Sequence, residues 1–158
     1  MAFKKFNLFP MICFFFISAN FLACAPSPRL YMQHRGQFTQ SQLAEILASN
    51  PLAPGQNIRV VNLGSGKETS HHLVQIRDRE KPHVHRTHDL TVFMLKGKGY
   101  LMLGQKRIDL GRGDVLFIPR ETVHYYVNTH SEPSVGLAVF SPVFRGKDSV
   151  PVNETSGR

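Results

Sequence analysis

Cysteine is nearly absent from this chain: of 158 residues only Cys13 and Cys24 are cysteines, and both precede residue 25. The body beyond them can form no disulfide and offers no thiolate for metal ligation or nucleophilic chemistry. Long apolar runs are also missing. The stretch from Met11 through Ile17 is followed soon after by Asn20, and it falls short of the roughly 20 apolar residues that a membrane-spanning helix needs. There is no internal repeat and no long low-complexity tract, and apolar residues at 42% and charged residues at 19% exclude a disordered, collagen-like or disulfide-dense chain. The net charge of +8 is scattered from Arg29 to Arg112 and forms no dense block, which reads as a solvated basic surface able to lean on anionic headgroups or attract an acidic small molecule. The length is that of one domain with a sizeable core.

The first residues carry a definite pattern. Lys4 and Lys5 precede the apolar stretch, and Ser18, Ala19 and "NFLACAPS" follow it, the charge, apolar and small-residue order of an export signal. Cleavage after Ala25 would place Pro26 just past the cut. Phe21-Leu22-Ala23-Cys24 instead resembles the lipobox of bacterial lipoproteins, in which the cysteine becomes the lipidated first residue. Phe21 stands where that pattern usually has Leu, and Ala25 is similar to the outer-membrane sorting preference. The resemblance implies removal of residues 1–23, lipidation of Cys24, and a protein held at the bacterial cell envelope on the periplasmic face of the outer membrane, since two or more acyl chains give stable anchoring. Export argues against nucleic acid as a partner.

Residues 24–38, with Pro26, Pro28 and Gly36 and no apolar period, read as a tether. In "TQSQLAEILASNP", Thr39 and Gln42 suggest a capping box, Leu43, Ile46 and Leu47 share a helical face, and Asn50-Pro51 stops the turn, so a short helix is expected over residues 39–51. From there to residue 146 the texture changes to short β-branched runs punctuated by glycine and proline, the signature of an antiparallel sandwich or barrel. Strands are expected at 58–63, 72–77, 91–95, 98–103, 105–110, 115–118, 124–128 and 135–140, with Gly104-Gln105 as a tight turn. Eight such strands suit a jelly roll. Residues 147–158 read as a tail.

The chemistry concentrates in "KPHVHRTHD", residues 81–89. In an extended segment alternate side chains share a face, so His83 and His85 point together and Val84 points away. A distant stretch, "GDVLFIPRETVHYYVN", supplies His124, and alternation sends Tyr126 and Asn128 to its side and Tyr125 outward. Here the chain resembles the cupin family over about residues 58–142. The first motif of that family, G-x5-H-x-H-x3,4-E-x6-G, is met by His83, His85 and Gly97; its second, G-x5-P-x-G-x2-H-x3-N, is met by Gly113, Pro119, His124 and Asn128 at the family spacing. The short interval from Gly97 to Gly113 is similar to that of single-domain bacterial cupins. Arg77 stands in place of the opening Gly of the first motif, and Glu121 in place of a Gly in the second. The carboxylate slot lacks its Glu: Asp89 fits the count from His85 but lies one residue too far from Gly97, where Leu90 has the right distance, and His88 competes as fourth ligand. A three-histidine site completed by solvent is the third possibility.

The resemblance implies an all-β, cupin-type jelly-roll barrel with one short N-terminal helix, holding a divalent transition metal (Fe, Mn, Zn or Ni) on His83, His85 and His124 with Asp89, and a pocket for a small-molecule ligand or substrate. Imidazole suits zinc, copper, iron and nickel, and carboxylate adds affinity for manganese and iron. Phe93 and Phe140 or Phe144 are expected to line the pocket, each being equally well placed as plain core, and Arg86 and Arg120 flank the motifs at its rim. Of His71 and His72, one should face inward and bond to backbone; His34 and His130 read as solvated. Three functions stay open: an oxygenase or isomerase in which Tyr126 orients or protonates the substrate, a non-catalytic binding or sensing module, and a scaffold that forms a homodimer through its outer sheet.

Overall fold

The structure, a computed structural model, describes residues 27–34, 36–146 and 148–152; the export signal and Cys24 lie outside the described residues. The chain opens with an antiparallel hairpin, β1 (Arg29–His34) and β2 (Gln37–Gln42), followed by helix α1 (Leu43–Ser49). Ten strands follow: β3 (Ile58–Ser65), β4 (Ser70–Ile76), β5 (His83–His85), β6 (Asp89–Lys96), β7 (Lys98–Leu103), β8 (Lys106–Gly111), β9 (Val115–Ile118), β10 (His124–Asn128), β11 (Ser134–Ser141) and β12 (Ser149–Pro151). They form two five-stranded antiparallel sheets, β12-β5-β10-β7-β8 and β3-β4-β11-β6-β9. This is a jelly roll of the expected class.

Three boundaries differ from the sequence reading. The segment read as a tether carries the β1–β2 hairpin, whose Tyr31 and Phe38 rings stack at 6.3 Å; Leu30 is the one buried residue among those described in the ribbon, too few to give an apolar period. The helix begins at Leu43 and not near Thr39, because Thr39 is spent in the β2 ladder. Glu45 supplies the cap instead, its carboxylate accepting from the Gln42 N–H at 2.9 Å. Asn50 does end the helix. Finally, the tail contains β12, which pairs with β5 through Ser149↔His85 and Pro151↔His83, so the barrel closes beyond residue 146.

Two apolar clusters sit on opposite sides of the second sheet. The inner one contains Ile76, Leu90, Met94, Leu101, Ile118 and Phe140; the outer one joins Leu73 and Val135 to Leu30 of β1 and Leu43 of α1. Burying Leu43, 3% exposed, contributes about 2 kcal/mol and docks a seven-residue helix that would not persist alone. Because β4 is covered on both faces, its sequence reads as nearly continuous burial and not as alternation. On β6 the parity set by Leu90 and Met94 turns Phe93 outward, opposite Val115 of β9. Phe93 therefore does not line the interior, contrary to the sequence reading.

Turn chemistry is as anticipated at Gly104, whose φ of 58° opens the two-residue β7–β8 loop. Glu121 is the exception. It holds a φ of 63° while its N–H donates to His85 O at 2.7 Å, in the place where the resembled motif carries glycine. An L-residue in this region costs about 1–2 kcal/mol, of which the greater chain entropy of glycine returns roughly half. Glu121→Gly is expected to stabilise the fold by about 0.5–1 kcal/mol, read as a higher urea midpoint at unchanged m-value.

Candidate metal centre

β5 and β10 are neighbours in the first sheet, and their register places His124 directly across from His83. His85, two residues along β5, presents its side chain to the same face, so three imidazoles from two remote segments meet. Their ring centroids are 4.3 Å (His83–His124), 5.1 Å (His83–His85) and 5.3 Å (His85–His124) apart. One ring nitrogen from each lies within 4.8 Å of the others.

Backbone carbonyls set the tautomers of two of them. His83 Nδ1 faces Lys81 O at 2.9 Å and His124 Nδ1 faces Thr122 O at 2.9 Å. A carbonyl only accepts, so Nδ1 carries the proton and the Nε2 lone pair is left for the centre. His85 Nδ1 is buried without a hydrogen-bond partner. Burial, followed by the neighbouring His83, lowers His124 to about 3. The same two causes lower His85 to about 4, with Asp148 opposing. Both are neutral at physiological pH. Three converging imidazole nitrogens, one ring with an orphaned atom, fit a first-row divalent ion and not an oxygen-seeking calcium or magnesium. An ion held by three protein ligands facing a cavity would keep open positions, the arrangement of reactive and not of structural sites.

Neither fourth-ligand candidate joins them. Asp89 is the first residue of β6, and Arg120 holds it through Nη2–Oδ2 at 2.8 Å and Nε–Oδ1 at 3.1 Å, with the Arg120 N–H at 3.0 Å. Those hydrogen bonds keep its carboxyl at about 2. The extra residue between Asp89 and Gly97 sends this carboxylate away from the histidines, and it pairs with Arg120, the arginine expected at the pocket rim. His88 packs beside the rings of Phe140 and Phe144, with Nδ1 against Asp148 and Nε2 facing Val143 O at 3.2 Å. Both of its nitrogens face acceptors, leaving none for an ion.

Tyr126 does point inward and is 5% exposed, yet its hydroxyl donates to Ser134 Oγ at 2.9 Å, which in turn donates to Asn128 Oδ1 at 2.7 Å. The phenol lies over Gly99, where a Cβ would collide with it, and Gly99 pairs with Asn128. The hydroxyl is thus at the end of β10 opposite His124, and burial raises its pKa. Its position is that of a floor anchor and not of a proton donor beside the ion. Asn128 ties down the following loop, donating to Arg77 O at 2.8 Å and Glu132 O at 3.0 Å. His72 is buried as one of its pair should be, but its Nε2 meets the Ser70 hydroxyl at 2.9 Å and not backbone.

The histidines open on a cavity of about 470 Å³ whose walls are mainly aliphatic and aromatic, Ile76, Met94, Leu101, Phe140 and Phe144 among them. One carboxylate on this wall was missed. Glu80, just before β5, exchanges two hydrogen bonds with Tyr126: its N–H donates to Tyr126 O at 2.9 Å and its Oε2 accepts the Tyr126 N–H at 2.9 Å. Burial raises its pKa, with His83 and the Tyr126 N–H opposing. In the sequence it is one member of the charged run "RDREK" and carries no periodic signal; only the docking of that loop on β10 turns it inward.

Residues 70–140 match the cupin domain family. The chain is 50% identical over 97 residues to an uncharacterised protein of Aquifex aeolicus, covering 61% of this chain and 79% of that one. It is 32% identical over 111 residues to quercetin 2,3-dioxygenase of Bacillus subtilis, covering 68% of this chain but spanning only 30% of that enzyme. Among solved structures, TT1209 of Thermus thermophilus superposes with a TM-score of 0.56 at 21% identity, over 66% of this chain and 97% of the other. Strand order, paired histidine motifs and domain match agree: residues 70–140 carry a cupin domain on a cupin-type jelly roll.

Proposed function

We propose that this protein is a lipid-anchored envelope cupin that holds a divalent transition ion (Fe, Mn, Zn or Ni) on His83, His85 and His124 and acts on a small, predominantly apolar molecule carrying an oxygen donor. The convergence of three imidazoles on the wall of an apolar cavity carries this reading. Bound there, the ion supplies Lewis acidity toward a substrate oxygen. The chain's own contribution is separate: the aliphatic and aromatic walls admit the apolar body and exclude water, and Glu80 accepts a proton at the carboxylate oxygen not held by Tyr126. The similarity to quercetin 2,3-dioxygenase favours oxygenase chemistry on hydroxylated aromatics over isomerisation.

Anchoring rests on the order of Lys4, Lys5, the apolar stretch and the lipobox-like residues ending at Cys24. No helix among the described residues is long and apolar enough to cross a membrane. Self-association as a homodimer is supported by the outer face of β6 and β9, where Phe93, Val115 and Phe117 are 38%, 57% and 58% exposed, a contiguous apolar patch of the kind that marks interfaces.

Full-length protein extracted in detergent is expected to carry about one transition ion per chain by elemental analysis, and His124→Ala to lose most of it. Oxygen uptake with hydroxylated aromatics, beginning with quercetin, tests turnover: Glu80→Gln should keep the metal and lower the rate about 10²–10⁴-fold. Stoichiometric metal with no turnover of any compound would replace the enzyme by a binding module.

Protonation gives a second check. His85 at about 4 and His124 at about 3 lie below the unfolded value of 6.5, so below that value the unfolded chain binds more protons than the folded one. Stability of the metal-free protein should be full above pH 6.5 and fall as pH drops toward 4 and below. Urea midpoints of chelator-treated protein across this window are expected to show a shallower decline in His124→Gln than in the parent.

A further inference from the structure

His85 differs from the other two histidines in what stands behind it. His83 and His124 each rest Nδ1 on a carbonyl. Nδ1 of His85 has no partner, and among the described residues it is the one buried side-chain nitrogen or oxygen left so. The nearest acceptor of opposite charge is Asp148 Oδ2, at 3.9 Å, roughly 1 Å beyond a normal hydrogen bond. Asp148 comes from the segment read as a tail and is only 7% exposed. It is seated there because β12 pairs with β5, with Ser149 directly across from His85. Its Oδ1 accepts from the N–H groups of Arg86 and Thr87 at 3.2 and 3.1 Å. Its Oδ2 is engaged by His88 Nδ1 and shares the Thr87 N–H at 3.2 Å, so two imidazoles face one carboxylate oxygen and one of them is satisfied.

We propose that Asp148 is the positioning carboxylate of the metal centre: Nδ1–H of His85 donates to Asp148 Oδ2 when Nε2 engages the ion, and His88 is the competitor that draws this oxygen away. A buried donor left unmade is costly, and a carboxylate behind a ligating imidazole both fixes its tautomer and raises its basicity. The C-terminal strand then does more than close the barrel, since it delivers the group that completes the third ligand. This inference rests on the three-histidine reading above and deepens it.

The test uses full-length protein in detergent, stripped with chelator and titrated with Zn²⁺ and Co²⁺. Asp148→Asn preserves shape and the acceptor for Arg86 and Thr87 but cannot accept from His85. It is expected to weaken Zn²⁺ binding about 10–100-fold and to shift the Co²⁺ visible bands, while Asp148→Glu recovers part of both. His88→Gln removes the competing imidazole donor from Oδ2, leaving the Thr87 N–H there, and should leave affinity equal to the parent or tighter. Were Asp148 only a loop clamp, Asp148→Asn and His88→Gln would weaken binding alike, and that result overturns the proposal. Parent affinity and an unchanged Co²⁺ spectrum in Asp148→Asn overturn it equally. A His85→Ala protein that binds Zn²⁺ as the parent does would show instead that the three-histidine reading itself has failed. Asp148→Asn is chosen because its backbone caps survive; should it melt well below the parent, the His88→Gln affinity decides, a loss there counting against the proposal.

Discussion

The pairing of β10 against β5 is the constraint on which the rest depends. These strands are separated by some forty residues of intervening hairpins, and their ladder sets His124 across from His83 with a single shared register. A slip of one residue would turn His124 out of the barrel and bring Tyr125 in. The register is held from both sides: β7 pairs along the whole of β10, and β12 closes on the far edge of β5. The short strand carrying two histidines is therefore sandwiched, and its side chains have little freedom to part from the third.

Placing imidazoles in an apolar wall works against the cationic form of His124 and His85, which are shifted to about 3 and 4. The same desolvation that lowers their proton affinity leaves lone pairs exposed to one another inside the barrel. Backbone carbonyls absorb the outward protons of His83 and His124, so the polar requirement of burial is largely met from within the turns that precede each strand. Below the histidines the cavity becomes apolar down to the Tyr126–Ser134–Asn128 chain, where the hydroxyls satisfy one another and leave the walls to bind by shape.

The outer layer follows a different logic. α1 and β1 cover one half of the second sheet through Leu43 and Leu30 and bury Leu73 and Val135 beneath them. The other half, along β6 and β9, keeps Phe93, Val115 and Phe117 in the open. One sheet thus has a covered and an uncovered apolar side, and the chain's own hairpin reaches only the first.

The β class, the strand carrying His124, the strands flanking Gly97, the Gly104 turn and the three histidines were readable in the sequence, because alternation, turn glycines and the spacing of two motifs are local properties. Phe93 and Asp89 went the other way for a physical reason: their orientation depends on strand parity and on an arginine thirty-one residues distant, and neither is encoded nearby. Glu80 and Asp148 carried no local signal at all. Each looked like a charge in a loop, and Asp148 is buried and Glu80 half-buried only because the segment bearing each docks on a strand remote in sequence. Residue types and their spacing determined which atoms could ligate; the closure of the barrel decided which carboxylates would stand beside them, since desolvation and partner choice exist only once the chain has folded.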